Sequence, residues 1–444
     1  LTLSYKTMHM YFKYLILFLF FPSITFSQTG WTWTELNSMP ERISNNAVTQ
    51  GIDGSGNLNV YSFSGIDSTK LYSGINLKSY RYNVMTAIWD TIASLPDSKG
   101  KIAAGASTIK NKIYIIGGYY VNANGSEVSS AKVHIYDPIN NAYLLDGADI
   151  PVAIDDHVQA VWRDSLIYVV TGWSNNNNVP DVQIYDPAND NWLVGTATPN
   201  TTQYKMFGAS GVIIGDTIYY NGGVTSGFSF NATSYLRMGV IDPIDPTIIT
   251  WSQLQDNPGG NGYRMAAANY NNRCFWIGGA GTAYNYDGIA YNGSGGVEPH
   301  SRILTYQKYW NMWFEGLGSP YGIMDLRGIA QITPTSWIIC GGMETGQTVT
   351  NRAFLLEFDP QVGSVEDNLK ESITLYPNPS SDYIFLDGKY ENPTYKVFSI
   401  TGEIVLKGIL LNNTIEISGL SIGFYELELT NREKVTKGGF VVSR

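Results

Sequence analysis

The sequence predicts an all-β protein, a six-bladed propeller followed by a small C-terminal β-sandwich. Three observations carry this reading. A set of marks recurs six times, at intervals of 53, 54, 51, 56 and 63 residues. Aromatic residues make up 13% of the 444-residue chain and glycines number 46, against only 15% charged residues, a mix that suits strands and tight turns. No segment sustains a capped apolar period of 3.6 residues. The length suits one large domain plus one small one, and a chain this long buries a large core.

The first mark is a β-rich run ending in a glycine pair. It occurs at Ile113–Gly118, Ile218–Gly223, Phe275–Gly279 and Trp337–Gly342, with weaker copies ending at Ser64-Gly65 and Thr171-Gly172. The second is an aromatic or apolar residue before Asp-Pro, at Tyr136, Tyr185, Ile241 and Phe358. The third is a Trp seven residues before a Pro, at Trp33, Trp89, Trp192, Trp251 and Trp313. Tyr143 and Pro151 are the same mark with one residue inserted.

Six ordered copies of about 50 residues exceed the WD period and fit the kelch period. The run, the Gly-Gly, the Tyr-Asp and the Trp resemble the kelch family, over about 330 residues. Each copy then reads as a four-stranded antiparallel meander, strands a to d from the inside out. Radial stacking buries both faces of such meanders and leaves short edges. The glycine pair ends strand b, where backbones crowd. Asp-Pro opens the turn from c to d, and the Trp fills space between neighbours.

The order of marks also predicts how the ring closes. Trp33 to Pro40 is a lone strand d, and the last copy stops at a strand c, Phe358-Asp359-Pro360. The N-terminal strand should complete the sixth blade. Cys274 and Cys340 sit four and one residues before their glycine pairs. That offset is about 10 Å along a strand, too far for a disulfide, so two buried thiols are expected.

Residues 1–28 read as an export signal. Lys6 and Lys13 flank the apolar stretch Tyr14 to Phe21, and Thr25-Phe26-Ser27 supplies small residues for cleavage. Translation from Met8 or Met10 fits equally well. The apolar stretch is short for a bilayer span, and no other segment is apolar enough, so no transmembrane segment is expected in the mature protein. A net charge of −10 argues against a nucleic-acid binder.

Residues 29–360 form the propeller on this reading, 361–371 a polar linker, and 372–444 the sandwich. The last part holds Leu375-Tyr376-Pro377-Asn378-Pro379 and β-like runs at 395–403, 415–420 and 423–429, with turn signals between. Tyr376, Pro377, Asn378 and Pro379, then Thr401-Gly402-Glu403, then Gly423-Phe424-Tyr425 resemble the type A sorting domain of type IX secretion cargo. The resemblance implies a bacterium of the Bacteroidota, the type IX machinery as a partner, and release or attachment at the cell surface.

In a meander, the d–a and b–c loops share one face, the usual ligand surface of such folds by analogy. Basic residues recur near the d–a junctions: Arg42, Lys99 or Lys101, His157, Lys205, Arg264 and Arg327. His157, Arg264 and Arg327 each precede the second glycine of their pair by 15 residues, which predicts equivalent places. Such a ring either grips a carboxylate bidentately or pairs with backbone carbonyls and neighbouring acids. The longest b–c loop, residues 280–302, holds Tyr284, Tyr286, Tyr291, Glu298 and His300 among glycines. Phe228 and Phe230 occupy the fourth blade's loop and Asn175 to Asn178 the third's. Tyrosines here serve sugar stacking or peptide anchoring, or the loop is decoration.

Other motifs point away from chemistry. Asp53-Gly54-Ser55-Gly56-Asn57 lacks the Glu a calcium loop needs, since Ser64 stands at position twelve, and reads as an a–b turn. His134, His157 and His300 have no metal spacing. Some kelch propellers are copper oxidases, but cysteines confined to strands do not fit that use. Asp155-Asp156 beside His157 reads as a junction cap or an acid/base pair. No catalytic residue and no cofactor is assigned. The expected role is a protein- or glycan-binding surface module. The alternative is an enzyme on acidic sugars, similar to the six-bladed kelch N-acetylneuraminate epimerases, with Arg264, Arg327, His157 and Glu298 as its candidates. A self-associating adhesive component is a third reading.

Overall fold

The computed structural model describes residues 26–28, 30–227, 230–316, 319–360, 373, 375–386, 393–399, 403–431 and 434–443. Most of the expected signal segment, the linker 361–371, Phe228 and Gly402 lie outside the described residues.

The described residues contain six four-stranded antiparallel meanders. Sheet one, for example, runs Ala47–Ile52, Leu58–Ile66, Ile75–Asn83 and Ile88–Ile92 from the inside out. The inner strands of sheets two to six begin at Ile102, Val158, Ser210, Ala266 and Ala330. These inner strands neighbour one another in order, and the last returns to the first. At that seam Arg327–Gly328 pairs in parallel with Ala47 and Val48 of sheet one.

Sheet six takes its outermost meander strand from the beginning of the propeller. Trp31–Glu35 pairs with Ala353–Phe358, Trp31 facing Phe358 and Glu35 facing Phe354. Trp31 and Trp33 are buried in the core shared by sheets five and six, with Phe275, Trp337 and Phe354. Trp31 meets Phe275 edge-on at 4.9 Å.

The glycine pairs hold neighbouring sheets together. The N–H of Gly279 donates to Ile323 O at 2.8 Å, in the segment leading into the next sheet. Gly118, Gly223 and Gly342 repeat this bond at 3.0, 2.7 and 2.9 Å to Ile154, Gly262 and Ile43. Gly278 and Gly279 have φ of 66° and 76°. A Cβ on Gly278 would lie 2.3 Å from Ile323 O, so nothing larger fits. In the weaker copies Gly65 N and Thr171 Oγ1 make the corresponding bonds, to Lys101 O and Met206 O.

The strand-d tryptophans hold the outer edge. Trp89, Trp192, Trp251 and Trp313 each donate the indole N–H to a carbonyl of the preceding sheet's outer end, at Asn37, Ala148, Thr196 and Gln255, over 2.8 to 2.9 Å. The Asp-Pro mark works as a side-chain turn. Asp137, Asp186 and Asp242 accept the N–H two residues on. Asp53 caps the first a–b turn in the same way, accepting from Ser55 and Asn57. Cys274 and Cys340 are free and buried.

The C-terminal region forms two small sheets around one core. One holds Leu375–Tyr376, Tyr383–Leu386 and Thr414–Glu416; the other holds Thr394–Ser399, Ile404–Ile409, Gly423–Asn431 and Lys434–Val442. Ile384, Val397, Ile415, Leu427 and Phe440 fill the space between them. This region touches sheet five, where Tyr309 donates its hydroxyl to Ile373 O at 2.7 Å.

Candidate functional site

Six residues, one per sheet, mark the mouth of the channel. An isolated bridge precedes strand a at Ser44–Ile66, Asp155–Trp173, Phe207–Val224, Tyr263–Ala280 and Met324–Met343, and sheet two has the same pair inside its ladder at Ile102–Tyr119. The residue after each bridge position is therefore equivalent: Asn45, Ala103, Asp156, Gly208, Arg264 and Asp325. All six have a left-handed φ, between 48° and 67°. Five of them carry a side chain that disfavours this conformation, so surrounding bonds must hold it.

Those bonds form a closed ring. Asp156 N donates to Ala103 O, Gly208 N to Asp156 O and Arg264 N to Gly208 O, at 3.1, 2.7 and 2.9 Å. Leu326 N donates to Arg264 O and Asn45 N to Asp325 O, at 3.1 and 3.2 Å. The Asn45 side-chain oxygen completes the circuit by accepting from Ala103 N at 2.7 Å.

The side chains on this ring neutralise one another. Arg264 reaches Asp156 through Nε and Nη2, at 3.0 and 2.6 Å, and Asp325 through Nη1, at 2.8 Å. Asp325 also accepts from Ser44 Oγ and Asn45 Nδ2. Arg264 and Asp156 are only 1% and 2% exposed. Burial pulls the Arg264 pKa down, but Asp156 and the other acids around it outweigh burial and hold the guanidinium firmly charged. Beside this network Asp155 Oδ2 accepts from Ser129 Oγ at 2.6 Å, and burial followed by Asp156 raises its pKa far above the usual carboxylate range.

The b–c loop of sheet five lies over the ring. Tyr284 is fully buried, 4.9 Å from the Tyr263 ring, with its hydroxyl 3.4 Å from Asp325 Oδ1. Tyr291 packs on Phe230 at 4.9 Å, and Phe230 in turn on Trp173 and Phe207. Gln347, on the loop of sheet six, donates to Val297 O and Glu298 Oε1. The aromatic contacts join loops from sheets three, four and five into one core above the channel.

Below the ring the inner strands enclose a cavity of about 130 Å³. Gly105, His157, Gln159, Ser210, Ala267 and Arg327 are among its lining residues. The ring itself is buried, whereas Gln159, Ser210 and Ala267 just beneath it are partly exposed. The cavity therefore communicates with the channel end away from the lid. Arg327 directs Nη2 to His157 O at 2.9 Å, and its Nη1 is 3.6 Å from Asp156, while its buried Nε has no partner. His157 donates from Nε2 to Gln159 Oε1 at 3.0 Å, and its Nδ1 has no partner. The assignment follows from Gln159 Nε2, which faces Ser107 Oγ and Tyr114 O as a donor. Burial, and next the Arg327 charge, push His157 down to about 4.

Residues 103–143 match the Kelch motif, and residues 374–443 match the Secretion system C-terminal sorting domain. The chain carries a Kelch motif within its propeller and a secretion sorting domain at residues 374–443. Kelch-like protein 23 of Pongo abelii is 32% identical over 117 residues, 26% of this chain and 19% of that protein. Kelch-like protein 15 of Homo sapiens is 27% identical over 118 residues, 27% of this chain and 18% of that protein. The match thus spans about a fifth of those relatives' length, at 19% and 18%. Among solved structures, that of YjhT has a TM-score of 0.60 at 17% identity, covering 73% of this chain and 98% of that one. A fungal alcohol oxidase of the AA5 family, in complex with copper, has a TM-score of 0.50 at 10% identity, covering 94% and 95%. At such identities the likeness shows the fold alone.

The propeller corrects one expectation from the sequence. His157, Arg264 and Arg327 are not equivalent. Arg264 is on the ring, His157 is one residue past it, and Arg327 is two past it. Counting back from the glycines fails because the a–b hairpins differ in length. Sheet three turns through Arg163-Asp164-Ser165 where sheet five turns through Asn271-Asn272, and sheet six has an irregular register between Gln331 and Thr333.

The remaining basic residues of the propeller scatter. Lys101 is buried against Asp97 at 2.6 Å and donates to His134 Nε2 at 3.0 Å. Arg42 is exposed, with Nη1 3.4 Å from Val349 O. Lys205 is half-buried, three residues before the ring position Gly208. Tyr286 leans on the core of sheets one and two. His300 sits half-buried under Gly281, and burial, followed by Arg302, lowers its pKa to about 4. Among the described residues no group of three or more His, Cys, Asp and Glu is placed to hold a metal ion. No helix among them is long and apolar enough to cross a membrane.

Sequence reasoning missed Asp156 and Asp325 as the partners of Arg264. They come from sheets three and six, and only alignment on the bridge positions brings them to one ring.

In the sorting domain, Asn378 ties the Pro-Asn-Pro turn to the last strand, accepting from Val441 N and donating to Gly439 O. Pro377 and Pro379 flank it. Tyr425 is buried, stacks on Phe440 at 5.7 Å and donates to Ser421 O. Gly423 begins the strand that pairs with Val442. Tyr376 stays half exposed beside Phe385.

Proposed function

We propose that the chain is a cargo of the type IX secretion system of a member of the Bacteroidota, and that its propeller binds a protein or glycan outside the cell. Residues 1–28 serve as the export signal, 29–360 as the binding unit, 361–371 as the linker and 372–444 as the sorting signal. The protein then ends in the medium or attached to the outer-membrane surface. The sorting-domain match supports the route.

One observation supports the binding role. The mouth side is built into a platform by loops from sheets three to six, with an aromatic core of its own. Ile289, Asn292, Ser294 and Glu298 are exposed on that platform. A preorganised surface loses little conformational freedom when a partner docks. The acidic-sugar enzyme needs an open guanidinium at the mouth, and all three donor groups of Arg264 already face Asp156 and Asp325.

The test uses the full chain against immobilised glycans and cell-surface proteins. Ile289→Arg with Ser294→Arg alters the platform without touching its core. Capture by the wild type and about tenfold weaker capture by the variant, at an unchanged melting temperature, is expected; that equals about 1.4 kcal/mol at the contact. Equal capture by both removes the contact from the platform. An acidic sugar whose anomers or epimers exchange faster with protein present replaces binding by catalysis.

A further inference from the structure

The c–d turns of sheets two and three read Asp137-Pro138-Ile139-Asn140 and Asp186-Pro187-Ala188-Asn189, whereas that of sheet five reads Gln307-Lys308-Tyr309-Trp310. The three turns share one bond. The tyrosine of strand c donates its hydroxyl to the side chain five residues on, Tyr136 to Asn141, Tyr185 to Asp190 and Tyr306 to Asn311, at 2.5 to 2.7 Å. In sheets two and three the fourth residue also serves the turn, since Asn140 and Asn189 donate from Nδ2 to Asp137 and Asp186. Trp310 stands in that place in sheet five, and its ring meets the sorting domain instead.

Tyr309 and Trp310 both meet the last strand of that domain. Tyr309 donates its hydroxyl to Ile373 O at 2.7 Å, and the Trp310 ring lies 6.5 Å from that of Phe424. Two glycines make room for them. A Cβ on Gly438 would lie 3.0 Å from the Tyr309 oxygen, and one on Gly439 would lie 3.0 Å from Trp310 Cδ1. Along the outer edge of this strand the domain supplies most partners itself. Ile373 N donates to Lys437 O, Asn378 bonds Gly439 O and Val441 N, and Ser380 N donates to Val441 O. The Gly439 N–H lies on the same edge, beside the Tyr309 oxygen. Burial raises the Tyr309 pKa, and this N–H draws it part of the way back.

We propose that the c–d turn of sheet five is a docking clasp for the sorting domain, with Tyr309 and Trp310 seated on Gly438 and Gly439, so that propeller and sorting domain move as one body. The chain already connects the two units, which makes the contact intramolecular, and a small contact then suffices. An open strand edge is a template for pairing with another chain, and the clasp covers the stretch of the last strand at Gly438 and Gly439.

Electron–electron double resonance on the full chain tests this, with spin labels on Met85→Cys in the propeller and Leu411→Cys in the sorting domain, at positions 77% and 62% exposed. Cys274 and Cys340 are buried away from the label. Without further change the labelled chain is expected to give one narrow distance distribution. Tyr309→Ala with Trp310→Asn restores the asparagine of sheets two and three, keeps the bond from Tyr306 to Asn311, and should broaden the distribution to that of two units joined only through the chain. Tyr309→Phe removes the hydroxyl alone and should broaden it less. Melting curves show which variants fold as the wild type does. A broad distribution without these substitutions overturns the proposal, since the sorting domain is then undocked. A narrow distribution that persists in the variants that fold overturns it by placing the docking contact elsewhere.

Discussion

Arg264 and Arg327 lie within one buried network around Asp156, yet they do opposite things. Every donor group of Arg264 points at an aspartate, from sheet three on one side and sheet six on the other. Arg327 rests mainly on backbone carbonyls, its ion pair with Asp156 is longer at 3.6 Å, and Nε is left over. The first arginine closes the mouth and the second lines an open channel. Residue type and burial are the same in both. What separates the two is whether the hydrogen-bonding capacity is already taken up.

The largest expected effect tests that contrast directly. Arg264→Ala leaves Asp325 buried without its counter-charge and Asp156 with only the longer pair to Arg327, and should cost about 3–5 kcal/mol in urea unfolding. Arg327→Ala should cost less, about 1–3 kcal/mol, mostly from the carbonyls it deserts. Equal losses would abolish the distinction between plug and cavity.

The next effect is pH-dependent. His157 titrates at about 4 when folded and at an ordinary 6.5 when unfolded. Between those values the unfolded chain binds more protons, so stability rises with pH. The contribution is complete above pH 6.5, is lost as pH falls to 4, and amounts to about 3 kcal/mol. Urea midpoints of the wild type and His157→Gln should therefore converge as the pH drops from 7 to 4. Parallel curves would mean that His157 titrates in the folded protein as it does in the unfolded chain.

The smallest effect concerns the outer edge, where no such ambiguity exists. Trp192→Phe keeps most of the ring and removes the bond to Ala148 O. It should cost about 1 kcal/mol in the same assay. A much larger loss would show that sheet contacts depend on indole volume rather than on the hydrogen bond.

The repeat was legible because its marks have local causes. A glycine pair is needed where Ile323 O presses on Gly278, a Trp where an indole N–H must reach the neighbouring sheet, and an Asp where a turn needs a cap. Each cause recurs with the sheet, so each leaves a periodic trace. The closing strand was legible for the same reason, as a Trp without its preceding strands. The site left no such trace. Asp156, Arg264 and Asp325 meet only through the ring, and the differing hairpins at Arg163–Ser165 and Gln331–Thr333 shift the count that would align them. The lid was equally silent. Glycines and asparagines between Ala280 and Arg302 read as an open loop, whereas Tyr284 and Tyr291 are buried in contacts with distant sheets.

Trp31 faces Phe358, and more than three hundred residues separate them along the chain. During synthesis the first strand must therefore wait for nearly the whole propeller to appear. Until then five complete sheets and a sixth with three of its four strands form an arc with two raw ends, and Trp31 and Trp33 have nowhere to go. Contacts so distant in sequence form slowly, so the seam is the last event of folding. It is also where an unfolding force or a protease would find the weakest purchase once closed, because opening any one sheet means breaking the circle in two places.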